Sequence, residues 1–337
     1  MIRKRSQRSL LALLLASVAL LATATGASAA IAGAGSTIAG AVMPNWTNGF
    51  LIREGITVTY SSSGVEAGLQ KLASHTVEFA AVDGPLSPEQ AAQCVECAQI
   101  PWLLTGVDVA YRLKGVNKLD LSGKVLTGIF TGKITHWNDP KIVALNPKAK
   151  LPASTITVVY PAEASGETSA FTNYLSKTSP AWKKSVGTVA TVRLPVGTAA
   201  KADSGVGGIV ASTPGSIGYV SAPYAFATSL RTASIENAAG EDIAPTIESF
   251  GAAGATAKEL PASGVVNVTY PPKTAKGAYP LAMFGYAVVP HTAPQKGFIE
   301  QFLNYAVGPG SSFGSVFGIA PLPKALKGAV RTAVAGL

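Results

Sequence analysis

The 337-residue chain has few of the residues that build metal centres. It contains only three histidines, His75, His136 and His291, and they lie far apart in the sequence. Its two cysteines, Cys94 and Cys97, are three positions apart. A structural zinc site needs four nitrogen, sulfur or oxygen ligands. We therefore expect no metal and no other cofactor.

The two cysteines follow Pro88–Ala92, which has the pattern of a surface helix. A redox pair usually lies where a strand of a thioredoxin-like unit leads into a helix. A short-range disulfide between Cys94 and Cys97, typical of an oxidising compartment, is the favoured prediction. A redox pair and a zinc site are the alternatives.

Charged residues are also scarce, at 13% of the chain, whereas 47% of the residues are hydrophobic. The hydrophobic content argues against a disordered chain. The net charge is +9, and it falls to +5 when the four basic residues at the N-terminus are left out. The remaining basic residues form no stripe with aromatic residues, which argues against nucleic-acid binding. A weakly positive field would favour the arrival of an anion.

No apolar run is long enough for a comfortable membrane span. Basic residues precede the apolar stretch Leu10–Leu21, and small residues follow up to Ala30. This order is typical of a secretory signal peptide, and the apolar core is short for a membrane anchor, which is the alternative. We expect a signal peptide over residues 1–29, cleavage after Ala29, no lipid attachment, no later membrane insertion, and a location in the periplasm or outside the cell.

About 308 residues then remain, more than one hydrophobic core usually supports, so two lobes are expected. Strand, helix and strand patterns follow one another at Ile56–Tyr60, Val65–Ala73 and Val77–Val82. This succession predicts an α/β fold with mostly parallel strands flanked by helices. Two separate strands are predicted next, at Ala98–Leu104 and Val107–Leu113.

Four segments rich in glycine and hydroxyl residues precede predicted helices: Gly33–Ile38, Ser61–Gly64, Val82–Ser87 and Ala164–Ser169. Helix N-termini offer unpaired backbone N–H groups to anions. Each segment taken alone is equally typical of an ordinary helix cap.

Longer motifs resemble the phosphate-binding proteins of bacterial phosphate importers. The matches run from Gly33 to Leu322 and comprise Gly33–Thr37, Thr76–Ser87, Leu121–Asp139 with Leu145–Pro147, Ser165–Leu175 and Pro214–Val220. Of these, Leu121–Asp139 is the most specific. The resemblance implies the two-lobe periplasmic binding protein fold, type II-like, with lobe I formed by residues 30–104 and 281–337 and lobe II by residues 105–280.

The same resemblance implies a function and a site. It implies a monomeric, non-enzymatic receptor that binds phosphate or a related oxyanion between the lobes and delivers it to an ABC permease. By position, Thr37, Ile38 and Gly64 belong to the first lobe's loops. Asp83 corresponds to the family's proton-accepting carboxylate. The implied contacts of the second lobe are Ser165, Gly166 and Glu167.

Three positions depart from the family pattern. Val65 and Glu167 stand where hydroxyl residues are expected, and Pro161 stands where the family has an arginine. Glu66 adds another carboxylate. These changes motivate an alternative, a repurposed member that binds another small molecule or acts as a secreted interaction or adhesion protein. An enzyme is not expected, because neither Gly33–Ser36 nor Ser165–Gly166 forms the G-x-S-x-G elbow of serine hydrolases.

Overall fold

The computed structural model describes residues 30–94 and 96–337. The predicted signal peptide, residues 1–29, lies outside the described residues. The strands are β1 (Ala30–Gly35), β2 (Thr57–Ser61), β3 (Phe79–Val82), β4 (Cys97–Tyr111), β5 (Asp120–Leu121), β6 (Thr157–Pro161), β7 (Thr198–Ala200), β8 (Ser216–Ser221), β9 (Ser234–Glu236), β10 (Asp242–Ile243) and β11 (Ala282–Pro290).

Helices separate most of these strands. They are α1 (Thr37–Glu54), α2 (Val65–Ala73), α3 (Pro88–Ala92), α4 (Gly123–Phe130), α5 (Pro140–Leu145), α6 (Gly166–Thr178), α7 (Pro180–Ser185), α8 (Ala202–Ser212), α9 (Ala222–Ala227), α10 (Ile247–Gly254), α11 (Lys296–Val307), α12 (Lys324–Ala335) and the 3₁₀ helix Pro309–Phe317. No helix in the described ranges has both the length and the hydropathy to cross a membrane.

Eight strands form one hydrogen-bonded sheet in the order β2-β1-β3-β11-β4-β8-β6-β7, and β10, β9 and β5 form a small second sheet. The strands pair in parallel at both ends of the large sheet, where β1 lies between β2 and β3, and β6 lies between β7 and β8. At the centre, β11 and β4 run antiparallel to their neighbours. The predicted α/β class with helix-flanked strands is confirmed.

Strand β4 connects the two ends of the sheet. It pairs with β11 up to Gly106 and with β8 from Val107 onwards. The prediction of two separate strands here was wrong, because Thr105 and Gly106 continue the ladder opposite β11. The buried Thr105 hydroxyl also donates a hydrogen bond of 2.8 Å to the Gly318 carbonyl, which satisfies it inside the sheet. The division into lobes at residues 104/105 and 280/281 stays a prediction.

Aromatic clusters fill the core beneath each half of the sheet. In the first half, Phe79 packs against both Trp102 and Phe302, with ring centroids 5.9 Å apart in each pair. In the second half, Phe171 stacks on Tyr219 at 4.2 Å. Such rings bury large apolar areas and hold the ends of the strands in place. The strand ends in turn position the loops of the candidate site.

Cys94 and Cys97 form a disulfide, as predicted. The bond follows α3 directly, at the start of β4. In the described residues, no group of three or more histidine, cysteine, aspartate or glutamate side chains could hold a metal ion.

Candidate functional site

The first side of the candidate site is the start of α1. Ser36 caps this helix, because its Oγ accepts a hydrogen bond of 2.9 Å from the Ala39 N–H. The same hydroxyl donates to Oδ1 of Asp83, at the end of the neighbouring strand β3. The Tyr60 hydroxyl donates to the Ser36 carbonyl at 2.8 Å. Ser36 thus connects the start of α1 to strand β2 and to the Asp83 loop.

The second side is the start of α6. Ser165 caps this helix by accepting a hydrogen bond of 3.1 Å from the Thr168 N–H. The next residue, Gly166, lies against the Asp83 loop so closely that a Cβ there would be 2.0 Å from the Asp83 carbonyl oxygen. A Cβ on Gly84 would lie 3.7 Å from the Gly166 Cα, an ordinary contact. The loops from the two halves of the sheet are therefore in direct contact.

A cavity of about 220 Å³ lies between these loops. The lining residues come from both halves of the sheet and are Val65, Val82, Asp83, Gly84, Pro85, Ser87, Gln90, Ala164, Ser165, Gly166, Ser169, Thr188, Val189 and Ala190. A cavity of this size holds only a small ligand. Its polar groups are mostly hydroxyls and backbone groups at helix starts, which suit an oxyanion.

Carboxyl groups dominate the electrostatics of this region. Burial raises the pKa of Asp83 to about 7, the hydrogen bond from Ser36 opposes the rise, and the charge of Asp203 adds to it. Burial also raises the pKa of Glu167 well above its usual range, and Asp203 and Asp83 contribute in the same direction. The pKa of Asp203 is raised by burial and held down by hydrogen bonds from Ser221.

These carboxyl groups have no basic partner among the residues described. The ion pairs found there join Arg53 to Glu54, Lys118 to Asp120 and Lys201 to Glu163. Pro161, which ends β6, is buried and carries no charge. Like charges a few ångströms apart repel strongly away from water. At neutral pH the cluster is therefore most stable when some of its carboxyl groups are protonated.

The predicted site residues, and the additional carboxylate Glu66, differ in where they lie relative to the cavity. Asp83, Ser165 and Gly166 line the cavity. Glu167 is 6% exposed and within electrostatic reach of Asp83. Glu66, by contrast, is exposed and accepts a hydrogen bond from Gln93.

The remaining predicted residues lie next to the cavity rather than in its wall. Thr37 begins α1 with its side chain exposed, and Ile38 points into the core at 1% exposure. Gly64 precedes α2 with φ of +87°, and its N–H donates to the Gly35 carbonyl at 2.9 Å. Their contact with a ligand stays a prediction.

Ser36, Tyr60 and Asp203 are parts of the arrangement that the sequence did not single out. Ser36 stands directly before a helix in a glycine-rich segment, and this N-cap pattern was the available signal. Asp203 lies in the first turn of α8, outside every motif that the sequence analysis identified.

The protonated cluster predicts a pH dependence of stability. A carboxyl group whose pKa is higher in the folded than in the unfolded state stabilises the fold at low pH. That contribution is lost as the pH rises from about 4 to the folded pKa, by about 1.4 kcal/mol per pH unit and group. We expect the free energy of unfolding, from urea denaturation, to fall between pH 4.5 and 7, and Asp83→Asn to reduce the slope. A free energy that rises over this range would contradict the account.

Residues 22–309 match the model of a family described as the PBP superfamily domain. The phosphate-binding protein PstS of Haemophilus influenzae is 33% identical over 290 residues, which cover 84% of this chain and 85% of that protein. PstS of Pasteurella multocida is 39% identical over 226 residues, covering 66% of this chain and 65% of that protein.

The fold also matches solved structures. A high affinity periplasmic phosphate-binding protein, PfluDING, solved with bound phosphate, superimposes with a TM-score of 0.69 at 21% identity, covering 90% of this chain and 93% of that one. At this identity the likeness shows the two-lobe fold alone. The sequence matches go further: the chain belongs to the PBP superfamily and, within it, to the family of the PstS proteins.

Proposed function

We propose that the chain is the exported solute receptor of an ABC importer and that it binds phosphate, or a closely related oxyanion, in the cavity at Asp83. The proposal depends on one observation: two capped helix starts, those of α1 and α6, meet at this buried carboxyl group. Relatives named as phosphate-binding proteins support the same ligand.

The groups around the cavity suit a protonated oxyanion. Backbone N–H groups at the starts of α1 and α6 and the hydroxyl of Ser165, which lines the cavity, can donate hydrogen bonds to anion oxygens. Asp83 in its ionised form can only accept, so it favours an anion that still carries a proton. Phosphate keeps a proton at neutral pH and sulfate does not. The carboxyl group therefore supplies specificity by rejecting the wrong anion.

Glu167 fits this function in its neutral form. Its pKa is raised well above the usual range by burial and by the neighbouring carboxyls. A protonated carboxyl group can donate a hydrogen bond, so neutral Glu167 would donate to an anion oxygen instead of repelling the anion. The site would then bind an oxyanion without an arginine at position 161.

The relatives do not favour the alternative of a repurposed pocket, because proteins named as phosphate-binding proteins align with 84% of this chain. An enzymatic role has little support. Gly310–Gly314 satisfies the G-x-S-x-G pattern, but it lies within the 3₁₀ helix and not at a strand-to-helix turn. The Ser312 hydroxyl donates to the Pro309 carbonyl at 3.1 Å instead of bonding to a base. We propose a non-enzymatic role, in the periplasm, with an ABC permease as partner.

Calorimetric titration of the exported chain with phosphate and with sulfate tests this proposal. We expect saturable binding of phosphate at neutral pH. Sulfate should bind about a hundredfold more weakly, because one charged hydrogen bond is lost and one repulsion is gained. The absence of phosphate binding would overturn the proposed function. Equal affinities for the two anions would contradict the role of Asp83.

A further inference from the structure

A second cavity, of about 610 Å³, lies between α9, α10 and the centre of β4. It shares no lining residue with the cavity at Asp83. Its walls include Ala225 and Phe226 of α9, Phe250 of α10 and Asp108 of β4, and Glu248 is a further charged residue in the lining. The proposed function does not use any of these residues.

Asp108 is the unusual member of this lining. It pairs with Val220 in the middle of the sheet and is only 5% exposed. Its Oδ1 is buried and has no hydrogen-bond partner in the described part of the chain. Its neighbours Val107 and Val109 are hydrophobic and fully buried. An unpartnered buried carboxyl group is costly, so a partner from outside the chain would relieve that cost.

The charges around the cavity indicate the sign of that partner. Glu248, exposed at the rim, is the second carboxylate, and no lysine, arginine or histidine occurs among the lining residues described. The titratable groups that interact electrostatically with Asp108 are Asp203 and the buried Tyr279, and neither carries a positive charge. Burial and the charge of Asp203 both raise the pKa of Asp108. A cation beside Asp108 would reverse this effect.

The walls indicate that such a cation carries an apolar body. Phe226 is 61% exposed, and the buried Phe250 also lines the cavity. Ala222, Leu230 and Ile247 add further apolar surface. Aromatic faces attract organic cations, and apolar walls favour a hydrocarbon group over a hydrated metal ion.

We propose that this cavity binds a small organic amine, with its ammonium group at Asp108 and its apolar body between Phe226 and Phe250. The inference does not depend on phosphate binding, because the two cavities are separate. Ionised Asp108 is the form that binds an ammonium group. Amine binding therefore releases a proton wherever Asp108 is neutral in the free protein, and the affinity rises with pH until the amine itself loses its charge.

Titration of the full chain with benzylamine, and with benzyl alcohol as the uncharged match, tests the proposal. We expect benzylamine to bind saturably, and at least about tenfold more tightly than benzyl alcohol. In Asp108→Asn its affinity should fall about tenfold or more, because a charge pair in a desolvated pocket is lost. Equal binding of the two probes, an unchanged affinity in Asp108→Asn, or no saturable benzylamine binding would each overturn the proposal.

Two further measurements separate binding from folding. Asp108→Leu should raise the thermal midpoint, since a hydrophobic residue replaces a buried carboxyl group that has no partner in the fold. A lower midpoint would show that Asp108 is already satisfied and would overturn the inference. In the unaltered chain, benzylamine affinity should rise from pH 6 to pH 8. An affinity that falls over this range would contradict the assignment of Asp108 as the counter-ion.

Discussion

Phosphate binding should weaken as the pH rises above 7, by up to about tenfold per pH unit for each carboxyl group that must be protonated in the complex. Asp83 accepts the anion's proton in its ionised form, whereas an anion beside Glu167 favours the protonated form of Glu167. Burial and the neighbouring carboxyl groups raise the pKa of Glu167 well above its usual range, so rising pH ionises this group and adds like-charge repulsion. Calorimetric titrations at pH 6, 7, 8 and 9 measure the slope.

Glu167→Gln is the variant that isolates this effect. Glutamine keeps a neutral hydrogen-bond donor at position 167 but cannot ionise. Phosphate titrates over the same range, so variants are compared with the parent chain at each pH. Glu167→Gln should retain the phosphate affinity of the parent at pH 6. At pH 9 it should bind phosphate at least about tenfold more tightly than the parent. Glu163→Gln, at an exposed position four residues away, should leave the slope unchanged. Identical slopes in the parent and in Glu167→Gln would refute the role assigned to Glu167.

Gly166→Ala should reduce phosphate affinity by about one to two orders of magnitude and lower the free energy of unfolding by about 1–3 kcal/mol. Its Cβ would lie 2.0 Å from the Asp83 carbonyl oxygen, so the α6 loop and the Asp83 loop must separate. The Ser165 hydroxyl would then move away from the Asp83 loop. Calorimetry gives the affinity, and urea denaturation gives the stability.

Gly84→Ala is the matched control, because its Cβ would meet only the Gly166 Cα, at 3.7 Å. Neither glycine has a positive φ, so space rather than backbone strain distinguishes the two substitutions. We expect Gly84→Ala to change the affinity by no more than about threefold. Equal effects of the two substitutions would show that the contact between the loops does not determine binding.

Local patterns were sufficient for several elements of the fold. Helix Val65–Ala73 has the predicted bounds, and β2 and β3 overlap the strands predicted at Ile56–Tyr60 and Val77–Val82. Strand β4 was divided wrongly, because a glycine in the middle of a strand normally marks a break. Here Gly106 packs against the Phe250 ring, a contact that sequence periodicity cannot reveal.

The candidate site was only partly accessible from sequence. The motifs around Asp83 and Ser165 located both sides of the cavity. Glu66 and Glu167 both lie in the first turn of a helix, where an exposed carboxylate is common, and only Glu167 was expected in the site, because the family resemblance places it there. The structure exposes Glu66 and buries Glu167. Burial depends on the packing of one half of the sheet against the other, so neither the burial of Glu167 nor the Asp108 cavity could be recognised from local patterns.

A crystal structure of the exported chain grown with phosphate tests the account most directly. The account predicts one phosphate between the first turns of α1 and α6, within hydrogen-bonding distance of Asp83 and of the Ser165 hydroxyl. A phosphate bound elsewhere, with the Asp83 and Gly166 loops still in contact and nothing between them, would contradict it.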